Sequence, residues 1–385
     1  MTTATPPLSR RKQILFTLLT LGFLAFFCEA SLQVFYRLSV GRWYWQWWAI
    51  PIYETDPVRV YRLKSNLDFV HQTSEFTARY RTDETGLRTD GHRPSPTVTK
   101  PENAFRILTL GPSFAFGWGV NYEDSYILKI ADGLRVPGKR VELINLGTPS
   151  QPISQQLKWL KETGHRYQPD LIVQTVYGDL GALETDDTLP AALPTVRDGY
   201  LYQPGTIGAA SWAKKARLYS ATVYFGWRIY NVVSGARSDA AGDGREFYKK
   251  AEAPNGSATE ECLRRYRSYL DFVGRAATNQ PQIVFVHVPM SYVVRPADIT
   301  RFATYGRVET PLEARAKAAR LTSLLKSNAV EMINPTDLLV ERNETARMYY
   351  LYDIHFTPDG NQAVADYALP LIQKAVQRQV TTVKP

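Results

Sequence analysis

Hydrophobic residues follow two patterns along this chain. Near the N-terminus they form one continuous run, and from Phe105 onward short apolar stretches alternate with amphipathic ones. Strands that alternate with helices predict an α/β fold of three layers, in which helices cover both faces of a parallel sheet. The predicted strands are 105–110, 140–147, 170–177, 281–289 and 331–336, and the predicted helices are 123–135, 153–167, 311–330 and 360–376.

The N-terminal run predicts one transmembrane helix over 13–38, preceded by a short basic tail over 1–12. A bilayer span needs roughly 20 residues, and this stretch supplies them although it carries Glu29. A cleaved signal peptide is the competing interpretation, but no A-x-A site follows the apolar core. We therefore expect an uncleaved, single-pass anchor in the cell or inner membrane.

The basic tail and the aromatic residues after the run indicate orientation. The positive-inside rule places the N-terminus in the cytoplasm and the main domain in the periplasm or another extracytoplasmic space. An aromatic belt, expected at the membrane interface, consists of Trp43, Tyr44, Trp45, Trp47 and Trp48. The expected partners are the lipid bilayer, through the helix, and membrane proteins, through Glu29 and the aromatic belt.

Between the anchor and the alternating region, residues 39–104 read as an aromatic interfacial segment followed by a β-rich lead-in. The main domain is expected over 105–378, with an insertion at about 184–258. The first part of the insertion is aromatic and predicts a helical insertion or cap. The second part, 234–258, is rich in Gly, Ala, Ser and charge and reads as an exposed loop or linker.

Composition excludes several functional classes. In 385 residues, 44% are hydrophobic, enough for a sizeable core, and the net charge of +9 comes from scattered basic residues without a nucleic-acid-binding motif. The two cysteines, Cys28 and Cys262, predict neither a disulfide framework nor a zinc site. The histidines show no metal-ligand spacing, so we predict no metal, no cofactor and no nucleic-acid partner.

Candidate chemistry lies where the predicted strands end, because open parallel sheets bind ligands at that edge. Ser113 follows the first strand, Gly147 the second and Gly178 the third, and Asp353 and His355 precede the last helix. Serine, histidine and aspartate are the residues that acyl transfer requires: imidazole accepts the serine proton and carboxylate orients the imidazole.

These stretches resemble the four sequence blocks of the SGNH, or GDSL-type, hydrolases, in order. The stretches are LTLGPSFAFGWGV, INLGTPSQ, YQPDLIVQTVYGDL and YLYDIHFTPDGNQ. The resemblance covers about residues 55–375, including a lead-in similar to that of membrane-anchored members. It implies an SGNH-hydrolase, flavodoxin-like fold in which Ser113 is the nucleophile, His355 the base and Asp353 its partner. It also implies an oxyanion hole at Ser113, Gly147 and Gly178.

Two positions depart from the family pattern. Pro112 stands where the family has an acidic residue, and Gly178 stands where it has the asparagine of the oxyanion hole. The first reading is a membrane-anchored serine esterase, or O-acyl hydrolase or transferase, acting on an ester or O-acylated substrate. The alternative is a catalytically inactive hydrolase fold that serves as a structural subunit of a membrane complex.

Overall fold

The computed structural model describes residues 9–40, 43–44, 50–73, 75–202, 216, 220–233, 256–299, 309–351 and 353–382. Contacts divide the chain into two units. One combines Met1–Ala49 with Gly205–Arg237, and the other combines Ile50–Pro204 with Ser238–Pro385. The lead-in over 50–104 thus belongs to the same unit as the central sheet, and part of the expected insertion belongs to the unit of the N-terminal helix.

The first unit contains helix α1, Arg10–Val40, which is long and apolar enough to cross a membrane. Its second helix, α5, is Ala221–Val233. In the expected aromatic belt, Trp43 is exposed, but Tyr44 is only 2% exposed because other aromatic side chains of this unit pack on it. Tyr44 therefore packs inside this unit, and its assignment to the membrane interface stays a prediction. Trp45, Trp47 and Trp48 lie outside the described residues.

The second unit begins with the β-rich lead-in. Strands β1 and β2 form an antiparallel pair, and β3, β4 and β5 form a three-stranded antiparallel sheet. Alternate side chains of β4 point inward, and Ala78 and Tyr80 are fully buried. The strands are β1 Tyr53–Asp56, β2 Val60–Leu63, β3 Asp68–Gln72, β4 Thr77–Thr82 and β5 Arg88–Thr89.

Five parallel strands form the central sheet, and this confirms the predicted α/β fold class. They run in the order β12, β11, β8, β6, β7. The strand order reverses between β6 and β8, which is the flavodoxin-like arrangement, and such a switch point opens a crevice at the carboxyl ends of the strands. The strands are β6 Ala104–Leu110, β7 Arg140–Asn145, β8 Leu171–Tyr177, β11 Gln282–Val288 and β12 Met332–Ile333.

Helices cover both faces of this sheet because its strands carry apolar side chains on both sides. On β6, Ile107 packs into one core and Leu108 into the other. The first core lies under α3 Tyr126–Gly133, α9 Thr336–Arg342 and α10 Pro358–Thr382. The second core lies under α4 Ile153–Glu162, α6 Gly256–Ala276 and α8 Pro311–Ser327.

Shorter elements complete the second unit. Helices α2, Ser113–Phe116, and α7, Ser291–Val294, follow strands β6 and β11. Within the expected insertion, β9, Thr195–Arg197, and β10, Tyr200–Tyr202, form a hairpin rather than a helix. Helix α6 is not among the predicted helices, although its sequence shows helical spacing of the residues that the structure buries. These residues are Cys262, Tyr266, Tyr269 and Val273.

Candidate active site

The turn between β6 and α2 presents Ser113 at the switch point of the sheet. Gly111 has φ +153°, and an added Cβ would lie 2.6 Å from the Cβ of Thr175, so the position requires glycine. Gln156, from α4, holds this glycine at both ends: its Oε1 accepts from the Gly111 amide at 2.6 Å, and its Nε2 donates to the Gly111 carbonyl at 2.7 Å. The turn is therefore fixed from the neighbouring helix.

Pro112 is compatible with this turn. It precedes the first residue of α2 with φ −77°, close to the value that its ring imposes. Its carbonyl still accepts from the Phe116 amide at 3.2 Å, so the first helical turn closes. Replacing an acidic residue with proline here does not prevent the chain from exposing the Ser113 hydroxyl.

The structure brings the three predicted catalytic residues together. Ser113 Oγ lies 2.5 Å from Nε2 of His355, and Nδ1 of the same ring contacts Oδ1 of Asp353. The His355 amide donates to the same carboxylate oxygen at 2.9 Å. An ionised Asp353 only accepts hydrogen bonds, so the proton of a neutral His355 lies on Nδ1 and the Nε2 lone pair faces the serine.

Asp353 is held as a carboxylate. Burial raises the pKa of Asp353, but the nearby His355 ring and the hydrogen bonds that the carboxylate accepts outweigh burial and lower this pKa to about 2. One of these bonds comes from Trp118, whose indole Nε1 donates to Asp353 Oδ2 at 3.1 Å. The aspartate therefore remains charged at neutral pH and stabilises an imidazolium on its partner.

Glu75, in the turn between β3 and β4, supports the catalytic loop. Its Oε2 accepts from the amide of Asp353 at 2.8 Å, and its Oε1 accepts from the amide of Leu351. Trp118 stands within the stretch LTLGPSFAFGWGV and Glu75 within the lead-in over 39–104, and the sequence predicts a role for neither. The lead-in thus forms one wall of the candidate active site.

Arg88 holds the loop that carries Trp118. The side chain is 3% exposed and donates to the carbonyls of Phe116, Gly117 and Val120 at 3.1 to 3.3 Å. Its guanidinium also lies 4.1 Å from the centre of the Phe116 ring and 4.7 Å from that of Tyr80. Burial lowers the pKa of Arg88 to about 10, so the cation persists at neutral pH and its bonds are charge-assisted.

Only one of the three predicted oxyanion donors has an unoccupied amide. The Gly147 amide donates to Asn145 Oδ1 at 2.8 Å, and the Gly178 amide donates to the Val288 carbonyl at 2.9 Å. Both amides are thus engaged within the chain, and the oxyanion role that the resemblance implies for these glycines stays a prediction. The Ser113 amide, at the start of α2, forms no hydrogen bond with any part of the chain that the structure describes.

Gly147 and Gly178 serve close packing and a left-handed turn. A Cβ at Gly147 would lie 2.4 Å from the amide nitrogen of Phe116, so only glycine fits beside α2. Gly178 has φ +78°, and its carbonyl accepts from Nε2 of His287 at 2.8 Å. A Cβ added at Gly178 would lie 3.4 Å from the side chain of Met290.

No metal centre accompanies the site in the residues described: they contain no group of three His, Cys, Asp or Glu side chains that could hold an ion. Asp179 is engaged elsewhere, because its carboxylate accepts from the Gly181 amide at 2.9 Å and pairs with Lys317 at 3.2 Å. What remains is a serine, a base and a carboxylate in contact, an arrangement suited to nucleophilic attack on a carbonyl.

No protein-family model matches the chain, and no curated protein sequence matches it. Among solved structures, the chain is similar to a member of the lipolytic G-D-S-L family from Veillonella parvula (11% identity, covering 69% of this chain and 97% of that one, TM-score 0.36). It is also similar to a psychrotrophic esterase from a Pseudoalteromonas species (10% identity, covering 71% of this chain and 98% of that one, TM-score 0.36).

A third similar structure is a variant of an acetyl-xylooligosaccharide esterase from Geobacillus (12% identity, 71% of this chain and 96% of that one, TM-score 0.36). Likenesses at such identities and TM-scores carry no argument about function, which is inferred from the side-chain geometry described above.

Proposed function

We propose that this chain is a membrane-anchored serine hydrolase of the SGNH type that cleaves or transfers an O-acyl group. The observation that carries the proposal is the contact between Ser113 Oγ and His355 Nε2, with Asp353 on the other ring nitrogen. Side chains that lie 242 residues apart in sequence meet here in the order that acyl transfer requires. The anchor is α1, and the catalytic unit is expected outside the cytoplasm.

In the proposed reaction, Ser113 Oγ attacks the carbonyl carbon of the ester while His355 Nε2 takes the hydroxyl proton. The tetrahedral intermediate collapses, and the imidazolium gives its proton to the departing alkoxide, which leaves an acyl group on the serine. Water or an acceptor hydroxyl then attacks the acyl-serine with His355 again as base; the bond between the acyl carbon and Ser113 Oγ breaks, and Oγ takes its proton back from the imidazolium. Asp353 stays ionised and orients the ring throughout.

Covalent labelling tests the proposal directly. Full-length protein in detergent micelles is treated with a fluorophosphonate, and peptide mass spectrometry locates the adduct. We expect the label on Ser113, because only a hydroxyl deprotonated by a neighbouring base reacts readily. Replacement of His355 with glutamine should abolish labelling. An adduct elsewhere, or none on a folded protein, would contradict the proposed role of Ser113.

The occupied amides of Gly147 and Gly178 favour a second candidate function. With one free backbone donor, the intermediate would lack stabilisation worth roughly 100- to 1000-fold in rate for each missing donor. A hydrolase fold weakened in this way suits a structural subunit of a membrane complex. Extraction in a mild detergent followed by size-exclusion chromatography distinguishes the two: a stable large complex without ester turnover supports the subunit, and a solitary active chain excludes it.

Trp118 provides a test of how the carboxylate is positioned. Trp118→Phe keeps an aromatic ring but removes the indole N–H that donates to Asp353. We expect kcat for a short-chain aryl ester to fall roughly 10- to 150-fold, because a hydrogen bond to a charged group is worth about 1.5 to 3 kcal/mol. The pKa of Asp353 should also rise from about 2, since this bond helps to lower it.

The matched control is Trp159→Phe, because Trp159 is buried in the core beneath α4, away from the triad. Its kcat, corrected for the folded fraction, should equal that of the unmodified protein. In Trp118→Phe the loss of rate should grow as the pH falls, since the carboxylate is protonated at a higher pH than before. A loss of equal size at every pH would assign Trp118 to packing alone.

A further inference from the structure

Glu29 is an acidic residue within the apolar helix α1, and its carboxylate is fully engaged inside the first unit. Oε1 accepts from Gln33 Nε2 at 2.7 Å and from the Ala221 amide at 3.0 Å. Oε2 accepts from the Ser220 hydroxyl at 2.7 Å and from the Thr222 amide at 2.9 Å. Glu29 therefore caps the N-terminus of α5, a helix that begins almost 200 residues later in the sequence.

Aromatic packing joins the same two helices a second time. The Tyr44 ring lies 5.4 Å from that of Tyr36 on α1 and 5.2 Å from that of Tyr224 on α5. The Tyr44 amide donates to Gln33 Oε1 at 2.9 Å, so the residue that contacts Glu29 also fixes this tyrosine. Two sets of contacts, linked through Gln33, thus hold α5 against the C-terminal half of α1.

The position of Glu29 along α1 sets the depth of the cap. In a span over 13–38, Glu29 is only three or four residues past the midpoint, about 5 Å along the helix axis. A hydrocarbon core about 30 Å thick then encloses this point. Backbone amides have no water there and must be satisfied by protein, and the carboxylate provides this for the first turn of α5. An anionic group also suits the positive end of a helix dipole.

The outer surface of α5 is apolar. The side chains of Ile229 and Val223 are 63% and 40% exposed. By sequence, the helix ATVYFGWRIYNVV contains a single charged residue, Arg228. Its 13 residues span about 20 Å, too short to cross a bilayer and typical of a re-entrant or interfacial segment.

We propose that α5 inserts into the outer leaflet beside α1 and presents Val223 and Ile229 to lipid, so that the anchor has two membrane elements. This inference rests on the proposal that α1 spans the membrane. Lipid is the occupant of the apolar face because Glu29 binds the start of α5 at a depth that lies within the hydrocarbon. Glu29 is thus an internal cap that docks α5.

Spin labelling of the full-length chain in phosphatidylcholine and phosphatidylglycerol vesicles tests this arrangement. A Cys28→Ser background leaves Cys262, which is fully buried and whose thiol pKa burial raises to about 12, so it does not compete for the label. Single substitutions Ile229→Cys, Phe23→Cys and Val98→Cys place nitroxides on α5, on α1 and on an exposed loop of the second unit. Collision with oxygen reports lipid, and collision with nickel ethylenediamine diacetate reports water.

We expect the labels at positions 229 and 23 to collide mainly with oxygen and the label at 98 mainly with nickel. If position 23 reports lipid but position 229 reports water, or is shielded from both reagents by protein, the α5 proposal is overturned while the anchor stands. If position 23 also reports water, the anchor itself fails. The two proposals are therefore distinguished in one set of samples.

A second variant tests the cap. Glu29→Leu keeps α1 apolar but removes the acceptors of the Ser220 hydroxyl and of the Ala221 and Thr222 amides, so position 229 should shift toward nickel accessibility while position 23 remains in lipid. Glu29→Gln retains one acceptor oxygen and should give an intermediate shift. Unchanged accessibility at position 229 in Glu29→Leu would overturn the role assigned to the carboxylate.

Discussion

Ser113→Ala is expected to reduce ester turnover by roughly 1000-fold or more, because it removes the only atom that forms the acyl bond in the proposed reaction. The fold should be unaffected. Ser113 is the first residue of α2, its amide remains in place, and its hydroxyl contacts only His355 among the residues that the structure describes. Initial rates with a short-chain aryl ester, measured on the detergent-solubilised full-length chain, provide the test.

The matched control is Ser327→Ala. Ser327 is the last residue of α8, and its hydroxyl donates to the Leu324 carbonyl. It lies before the amino end of β12, whereas Ser113 follows the carboxyl end of β6. Turnover in this variant should equal that of the unmodified chain. If Ser113→Ala retains full activity and Ser327→Ala does as well, the measured hydrolysis has another nucleophile and the proposed mechanism is wrong.

The sequence predicts the positions of the three catalytic candidates because strand order controls them. A polar residue directly after a buried parallel strand must lie at the carboxyl edge of the sheet, and this holds for Ser113 after β6. His355 and Asp353 precede α10, and the resemblance to family blocks supplied their pairing. The alternation of strands with helices predicted the three layers. In the structure, β6 carries buried side chains on both faces, as a sheet covered on both sides requires.

The supporting contacts could not be predicted in this way. Trp118 and Asp353 are 235 residues apart, and Glu75 and Asp353 are 278 apart, so neither pair leaves a local pattern. The hydrogen bond of the Gly147 amide could be predicted from the local sequence, because an asparagine side chain often accepts from the backbone amide two residues later in an Asx turn. The oxyanion role that the family resemblance implies for Gly147 does not take account of Asn145 Oδ1 as a competing acceptor.

Glu29 has partners within its own chain that the sequence does not predict. An acidic residue in a span is costly, so the sequence made Glu29 a candidate contact for a membrane-protein partner. The structure satisfies its carboxylate from within the same unit, through a helix that the sequence analysis described only as an insertion or cap. The contact joins residues 191 to 193 positions apart, beyond the range of any periodic pattern.

Gly178→Asn is expected to raise ester turnover, by roughly 100- to 1000-fold if the new amide reaches the developing oxyanion. The backbone permits the change. Gly178 has φ +78°, and asparagine tolerates the left-handed region better than most residues. An added Cβ would contact Met290 at 3.4 and 3.5 Å, which is ordinary van der Waals separation. Both backbone hydrogen bonds of Gly178 remain available, since the substitution adds only a side chain.

Gly178→Ala is the control for this prediction, because it imposes a similar or greater backbone strain and adds no hydrogen-bond donor. We expect kcat of Gly178→Ala to be no higher than that of the unmodified chain. The ratio of the kcat values of Gly178→Asn and Gly178→Ala then measures the effect of the asparagine side-chain amide alone. Equal rates in both variants, with Ser113 still labelled by a fluorophosphonate, would show that the third block does not face the oxyanion. A gain confined to asparagine would instead identify the missing donor at Gly178 as the reason for slow turnover in the natural chain.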